Sequence, residues 1–103
     1  MPIEARYDDD EKKLVIRVNT KFDFTLLNEF RQAYSNDNAK SAEIVIDLRS
    51  TPTIDSSALG MLLSMQEHLG KKDTEISIVN CNEDVMKIFN ITHFDNKFTI
   101  KKL

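Results

Sequence analysis

Two short apolar runs, with a helix-period segment between them, constrain this chain more than any other feature. Ile44-Val45-Ile46-Asp47-Leu48 is followed by a loop containing Pro52 and by a helical pattern from Asp55 to Leu69 that Gly70 stops. Ile76-Ser77-Ile78-Val79 then forms the second run. A run apolar at consecutive positions predicts a strand buried on both faces, as found at the centre of a partly parallel sheet. Strand, helix and strand make one βαβ unit. Its right-handed crossover lays the helix on one face of the sheet.

The flanking segments extend this unit. Ile3, Ala5 and Tyr7 alternate with Glu4, Arg6 and Asp8, which predicts a half-buried strand. Asp8-Asp9-Asp10-Glu11 reads as a solvated polar turn, and Leu14, Ile16 and Val18 complete a hairpin. From Phe22 the period becomes helical, through Leu26, Leu27, Phe30, Ala33 and Tyr34. Asp23 suits the N-cap, with Phe22 and Leu27 placed for a hydrophobic staple. A short helix is predicted from Asn82 to Asn90, and Phe98-Thr99-Ile100 is a last short strand or extended tail. The order is ββαβαβα with a short extended end. The fold class is α/β, a single domain over residues 1–103 with a small mixed β-sheet flanked by helices.

Size and charge bound the function. A chain of 103 residues buries one core without disulfide or metal staples. A net charge of −3 offers no basic footprint for nucleic acid. No apolar run approaches the roughly 20 residues that span a bilayer, and Met1-Pro2-Ile3-Glu4 does not open a signal segment. The single Cys81 rules out an internal disulfide and points to a reducing, cytoplasmic compartment.

On the helix from Asp55, a 100° step puts Ala58, Leu59, Leu62, Leu63, Gln66 and Leu69 on the core arc. Met61 falls towards the flank occupied by Ser57 and His68. There it either packs against a loop or offers an adaptable contact surface. Ser56 falls at the carboxyl end of the central strand and the amino end of the helix, the edge where functional groups gather in α/β sheets. Two readings stay open for it. Ser56 is the helix cap, or Asp55 is the cap and Ser56 points outward, where the unpaired N–H groups and partial positive charge tolerate a phosphate.

Other chemistry finds little support. No Gly-x-Ser-x-Gly elbow surrounds Ser56, and His68 lies more than three helical turns beyond it. Two separated histidines and one cysteine make no metal-ligand cluster. Asp8 to Glu11 lack calcium-loop spacing. No glycine-rich loop is present to cradle a nucleotide, so no cofactor is expected. Cys81 reads as a small buried residue.

Val45-Ile46-Asp47-Leu48 followed by Ile54-Asp55-Ser56-Ser57-Ala58-Leu59-Gly60 resembles the signature of STAS domains, and in particular of bacterial anti-sigma factor antagonists. Their motif is a strand ending in Asp-Leu, a loop, then Asp-Ser-Ser-Gly-Leu-Gly opening a helix. Phe22-Asp23 is similar to the Leu-Asp before the family's first helix, and the likeness in element order covers most of the chain. The resemblance implies partner switching without enzymatic activity. An anti-sigma factor-like serine kinase phosphorylates Ser56, a metal-dependent serine/threonine phosphatase reverses it, and only the unphosphorylated form binds its partner. It implies a docking surface of Asp23, Asp55, Ser57, Gly60 and Met61. The output implied is a sigma factor or another target, such as biofilm or exopolysaccharide regulation. A structural subunit of a signalling assembly, with Ser56 only a cap, is the reading from a different class. Ala58 departs from the family's first glycine, and Thr25 stands two residues after Asp23 where the family has threonine three after. The family's final amphipathic helix is expected to be short or absent before Leu103.

Overall fold

The computed structural model describes Met1–Leu103. Strands β1 (Ile3–Asp8) and β2 (Lys13–Val18) form the expected hairpin, in register from Ile3 opposite Val18 to Asp8 opposite Lys13. Asp8 holds the acidic turn itself: its Oδ1 accepts the N–H groups of Asp10 (3.0 Å) and Glu11 (3.1 Å). The remaining strands, β3 (Glu43–Asp47), β4 (Ile76–Cys81) and β5 (Thr99–Lys102), add in parallel, giving the spatial order β1-β2-β3-β4-β5.

Four α-helices accompany the sheet. They are α1 (Leu27–Tyr34), α2 (Asp37–Ser41), α3 (Ser56–Leu69) and α4 (Glu83–Ile91). The expected order is found, with α2 as one added short helix that Asn36 caps through the Ala39 N–H (2.9 Å). Asp23 caps a 3-10 turn, Phe24–Leu26, that leads into α1. Phe22 is fully buried and its ring meets Phe30 at 5.1 Å between centroids.

The strand order decides the layering. Each parallel crossover moves one strand further in the same direction. Right-handed crossovers then lay every connecting helix on the same face. Burial agrees. Leu14, Ile16, Val18, Ile44, Ile46, Leu48, Ile76 and Ile78 lie in one core with the helices, whereas Val15, Val45 and Val79 on the opposite face are only half-buried. The expectation that the Ile44–Leu48 strand is buried on both faces is therefore corrected. Its second face carries Val45, half exposed, and Asp47, which is buried by polar partners rather than by a helix layer.

The face of α3 also differs from expectation. Ala58, Met61, Leu62, Met65 and Leu69 are the buried residues. Leu59 is half-buried and Leu63 is 38% exposed. The sheet-facing arc is thus rotated by about 60° at 100° per residue. The two thioethers, adaptable enough to fill irregular gaps, take the sheet-facing positions, and two leucines are left at the rim. Met61, expected on a docking surface, is 5% exposed and belongs to the core.

Candidate functional site

Three connections meet at the carboxyl edge of the parallel strands. Residue Phe22, after β2, pairs with Ile54, after β3, in a short parallel bridge. Phe22 N–H donates to the Thr53 carbonyl (3.0 Å) and Asp55 N–H donates to the Phe22 carbonyl (3.3 Å). From this bridge the two segments continue alike. Asp23 accepts the N–H of Thr25 (3.0 Å) and its hydroxyl. Asp55 accepts the N–H of Ala58 (3.1 Å) and the hydroxyl of Ser57 (2.6 Å). Each aspartate caps a helical start and is braced by a hydroxyl two residues on. The displaced Thr25 is the residue that braces Asp23.

This geometry separates the two readings of Ser56. Asp55 is the N-cap of α3, and Ser56 is the first helical residue, exposed. The Ser57 hydroxyl is committed to Asp55, whereas Ser56 stands where the helix dipole is most positive. The Ser57 hydroxyl, with the N–H groups of Ala58 and Ser57, holds the Asp55 carboxyl below its ordinary pKa, so it stays anionic beside Ser56. Phe24 occupies the corresponding first position of its own turn and is 64% exposed.

The loop that presents Ser56 is anchored at its base. Asp47, 6% exposed, accepts Asn80 Nδ2 (2.9 Å), the Arg49 N–H (3.0 Å) and Arg17 Nε (3.2 Å). The Thr51 hydroxyl, buried, donates to the Val18 carbonyl (2.7 Å). Asn82 caps α4 through the Val85 N–H (2.8 Å), while its Nδ2 donates to the carbonyls of Thr51 (3.3 Å) and Pro52 (3.2 Å). The ends of β2, β3 and β4 are thereby tied to one another and to the loop. Asp47, Thr51, Asn80 and Asn82 were not among the expected site residues. A visible signal existed for Asp47 alone, a carboxylate inside an apolar run.

Of the expected residues, Asp23, Asp55, Ser56 and Ser57 gather at this edge. Gly60 is exposed one turn beyond Ser56, on the same outer face of α3 as Leu63. A Cβ at Gly60 would meet nothing within 4 Å. His68 lies roughly 18 Å along α3 from Ser56 at 1.5 Å per residue, beside the ring of Tyr34. His93 follows the far end of α4. Cys81 is fully buried, and burial together with the Asp47 charge pushes its thiol up to about 12. No helix is long and apolar enough to cross a membrane.

The STAS domain family matches residues 3–102. The chain belongs to the STAS family. A STAS-domain containing protein of Pseudomonas aeruginosa (strain UCBPP-PA14) is 39% identical over 100 residues, which is 97% of this chain and 99% of that protein. The fold is shared with an anti-sigma factor antagonist from Mycobacterium paratuberculosis at a TM-score of 0.78 and 24% identity, covering 98% of this chain and 86% of that one. It is shared with the anti-sigma factor antagonist SpoIIAA, solved in its unphosphorylated form, at a TM-score of 0.67 and 17% identity, covering 98% and 88%. In this STAS domain the Asp-Ser-Ser motif is the cap and first turn of α3.

Proposed function

We propose that this STAS protein is a non-enzymatic switch whose binding to a partner is controlled by phosphorylation of Ser56. The observation that carries the reading is the division of labour at α3: Asp55 does the capping, which leaves Ser56 exposed. A role for Ser56 as a mere cap loses its basis. An anti-sigma factor-like serine kinase transfers the terminal phosphoryl group of ATP to Ser56 Oγ, which gives up its proton. A metal-dependent serine/threonine phosphatase hydrolyses the ester. Asp23, Asp55, Ser57 and Gly60 form the docking surface together with the exposed Phe24, and Met61 is not part of it.

Mass spectrometry of the protein purified from its host tests the modification. The expected result is one phosphate on the peptide that carries Ser56, absent from Ser56→Ala. Phosphate on Ser57 instead, or none under any growth condition, sinks the proposal.

Gly60 adds an independent test of the docking face. A helix-interior glycine costs up to about 1 kcal/mol relative to alanine, and nothing within the chain requires it here. Gly60→Ala is expected to raise the melting temperature and to weaken partner binding, because the methyl stands where the partner comes close. Tighter or unchanged binding in that variant removes Gly60 from the surface.

A further inference from the structure

One face of the sheet carries no helices. Its apolar centre is the Val15–Val45 pair, flanked on β1 by Arg6, with Val79 one row on beside Asp47; the three valines are half-buried and none is packed into the core. Charges border that centre: Lys13 and Glu43 at one end, Arg17 and Asp47 at the other. The strand register places Lys13 beside Glu43, Val15 beside Val45, and Arg17 beside Asp47. Each row on β2 therefore has its chemical complement in the same row on β3.

We infer that this face binds a second copy of the chain about a two-fold axis running parallel to the strands, between β2 and β3. Such an axis exchanges β2 with β3. It sets Lys13 over Glu43 of the second copy and Val15 over Val45, twice each, and Arg17 over the row of Asp47, whose carboxylate is already bonded within its own chain. A two-fold across the strands would instead set Lys13 against Arg17, like charge on like, and the pattern disfavours it. The Arg17 side chain is 46% exposed, so it reaches outward while it holds its own Asp47. Two sheets packed this way form an aligned sandwich about 10 Å apart. An isologous contact of this kind closes at two copies. The axis keeps strand direction, so both Ser56 edges face the same end of the pair. A partner with two docking faces would engage both at once.

Analytical ultracentrifugation of the purified chain over a range of concentrations tests the inference. A monomer–dimer equilibrium is expected. Val45→Lys puts two ammonium groups into the centre of the contact and is expected to raise the dimer dissociation constant by about 100-fold. Lys13→Glu should weaken the dimer, and adding Glu43→Lys to it should restore it. Thermal melts establish that each variant is folded, and Val15→Lys replaces Val45→Lys if the latter is not. A monomer at every concentration overturns the inference. So does a dimer that neither the central lysine nor the charge swap affects.

Discussion

Ser56→Asp is expected to lower affinity for the docking partner by about 100-fold, equivalent to about 2.7 kcal/mol, while Ser56→Ala binds like the unmodified protein. Folding should not report the change. The cap of α3 is Asp55, so neither substitution removes a capping bond. A carboxylate in the first turn is favoured by the helix dipole, which makes Ser56→Asp neutral to slightly stabilising. At the interface the balance reverses. The new charge stands beside Asp55, which its hydrogen bonds keep anionic, and on the same edge as Asp23 through the Phe22–Ile54 bridge. A partner that covers this edge must desolvate a further negative charge, and removing a charge from water without a counter-ion costs several kcal/mol. Isothermal titration of the kinase partner with the three proteins separates the terms. If Ser56→Asp and Ser56→Ala bind equally well with equal melting temperatures, Ser56 is not the switch. If Ser56→Ala is the weaker binder, the hydroxyl is a contact and phosphate control is not required.

The fold was legible where periodicity carries it. Alternation in β1 and β2, and the strand–helix–strand segment from Ile44 to Val79, placed the elements correctly. It did not reveal that the sheet is covered on one side only. Val45 between Ile44 and Ile46 reads as apolar whether its face meets a helix layer or water, and the layering follows from strand order, which a local pattern does not contain. The rotation of α3 escaped for a related reason. Its apolar residues span a broad arc from Met61 round to Leu63, wider than the sheet can cover, so the choice between Leu59 with Leu63 and Met61 with Met65 depended on the surface beneath. At the site, the Asp-Ser-Ser motif was readable, but which residue caps was not, since aspartate and serine are equally good at it. The bond from the Ala58 N–H to the Asp55 carboxylate identifies the cap as Asp55. The anchors Asp47, Thr51, Asn80 and Asn82 lie up to 35 residues apart and meet only when the strand ends are aligned.

Asp47→Ala is expected to cost about 2–3 kcal/mol of folding stability, lowering Tm by roughly 10–20 °C for a domain of this size. Asp47 accepts three hydrogen bonds, from Asn80, Arg49 and Arg17, and truncation leaves their donors without it. Arg17 is exposed enough to rehydrate, so the loss falls mainly on Asn80 and the Arg49 N–H. The pH dependence has a definite sign. Burial works against the Asp47 charge, but Asn80, the Arg49 N–H and Arg17 outweigh it and hold the carboxyl below its ordinary pKa. A carboxylate whose folded pKa is depressed stabilises fully above its unfolded pKa, about 3.9. That contribution is lost as pH falls through the lower folded value. The gap in Tm between the wild-type protein and Asp47→Ala should therefore stay constant from neutral pH to about pH 5, then close in acid. A gap that widens on acidification, or that is absent at neutral pH, contradicts this account of the carboxylate. The consequence reaches the switch. Asp47 bonds the N–H of Arg49, at the root of the loop that ends in Asp55 and Ser56. In Asp47→Ala that loop should become the first segment cut by limited proteolysis, between Arg49 and Thr53, before the core strands open.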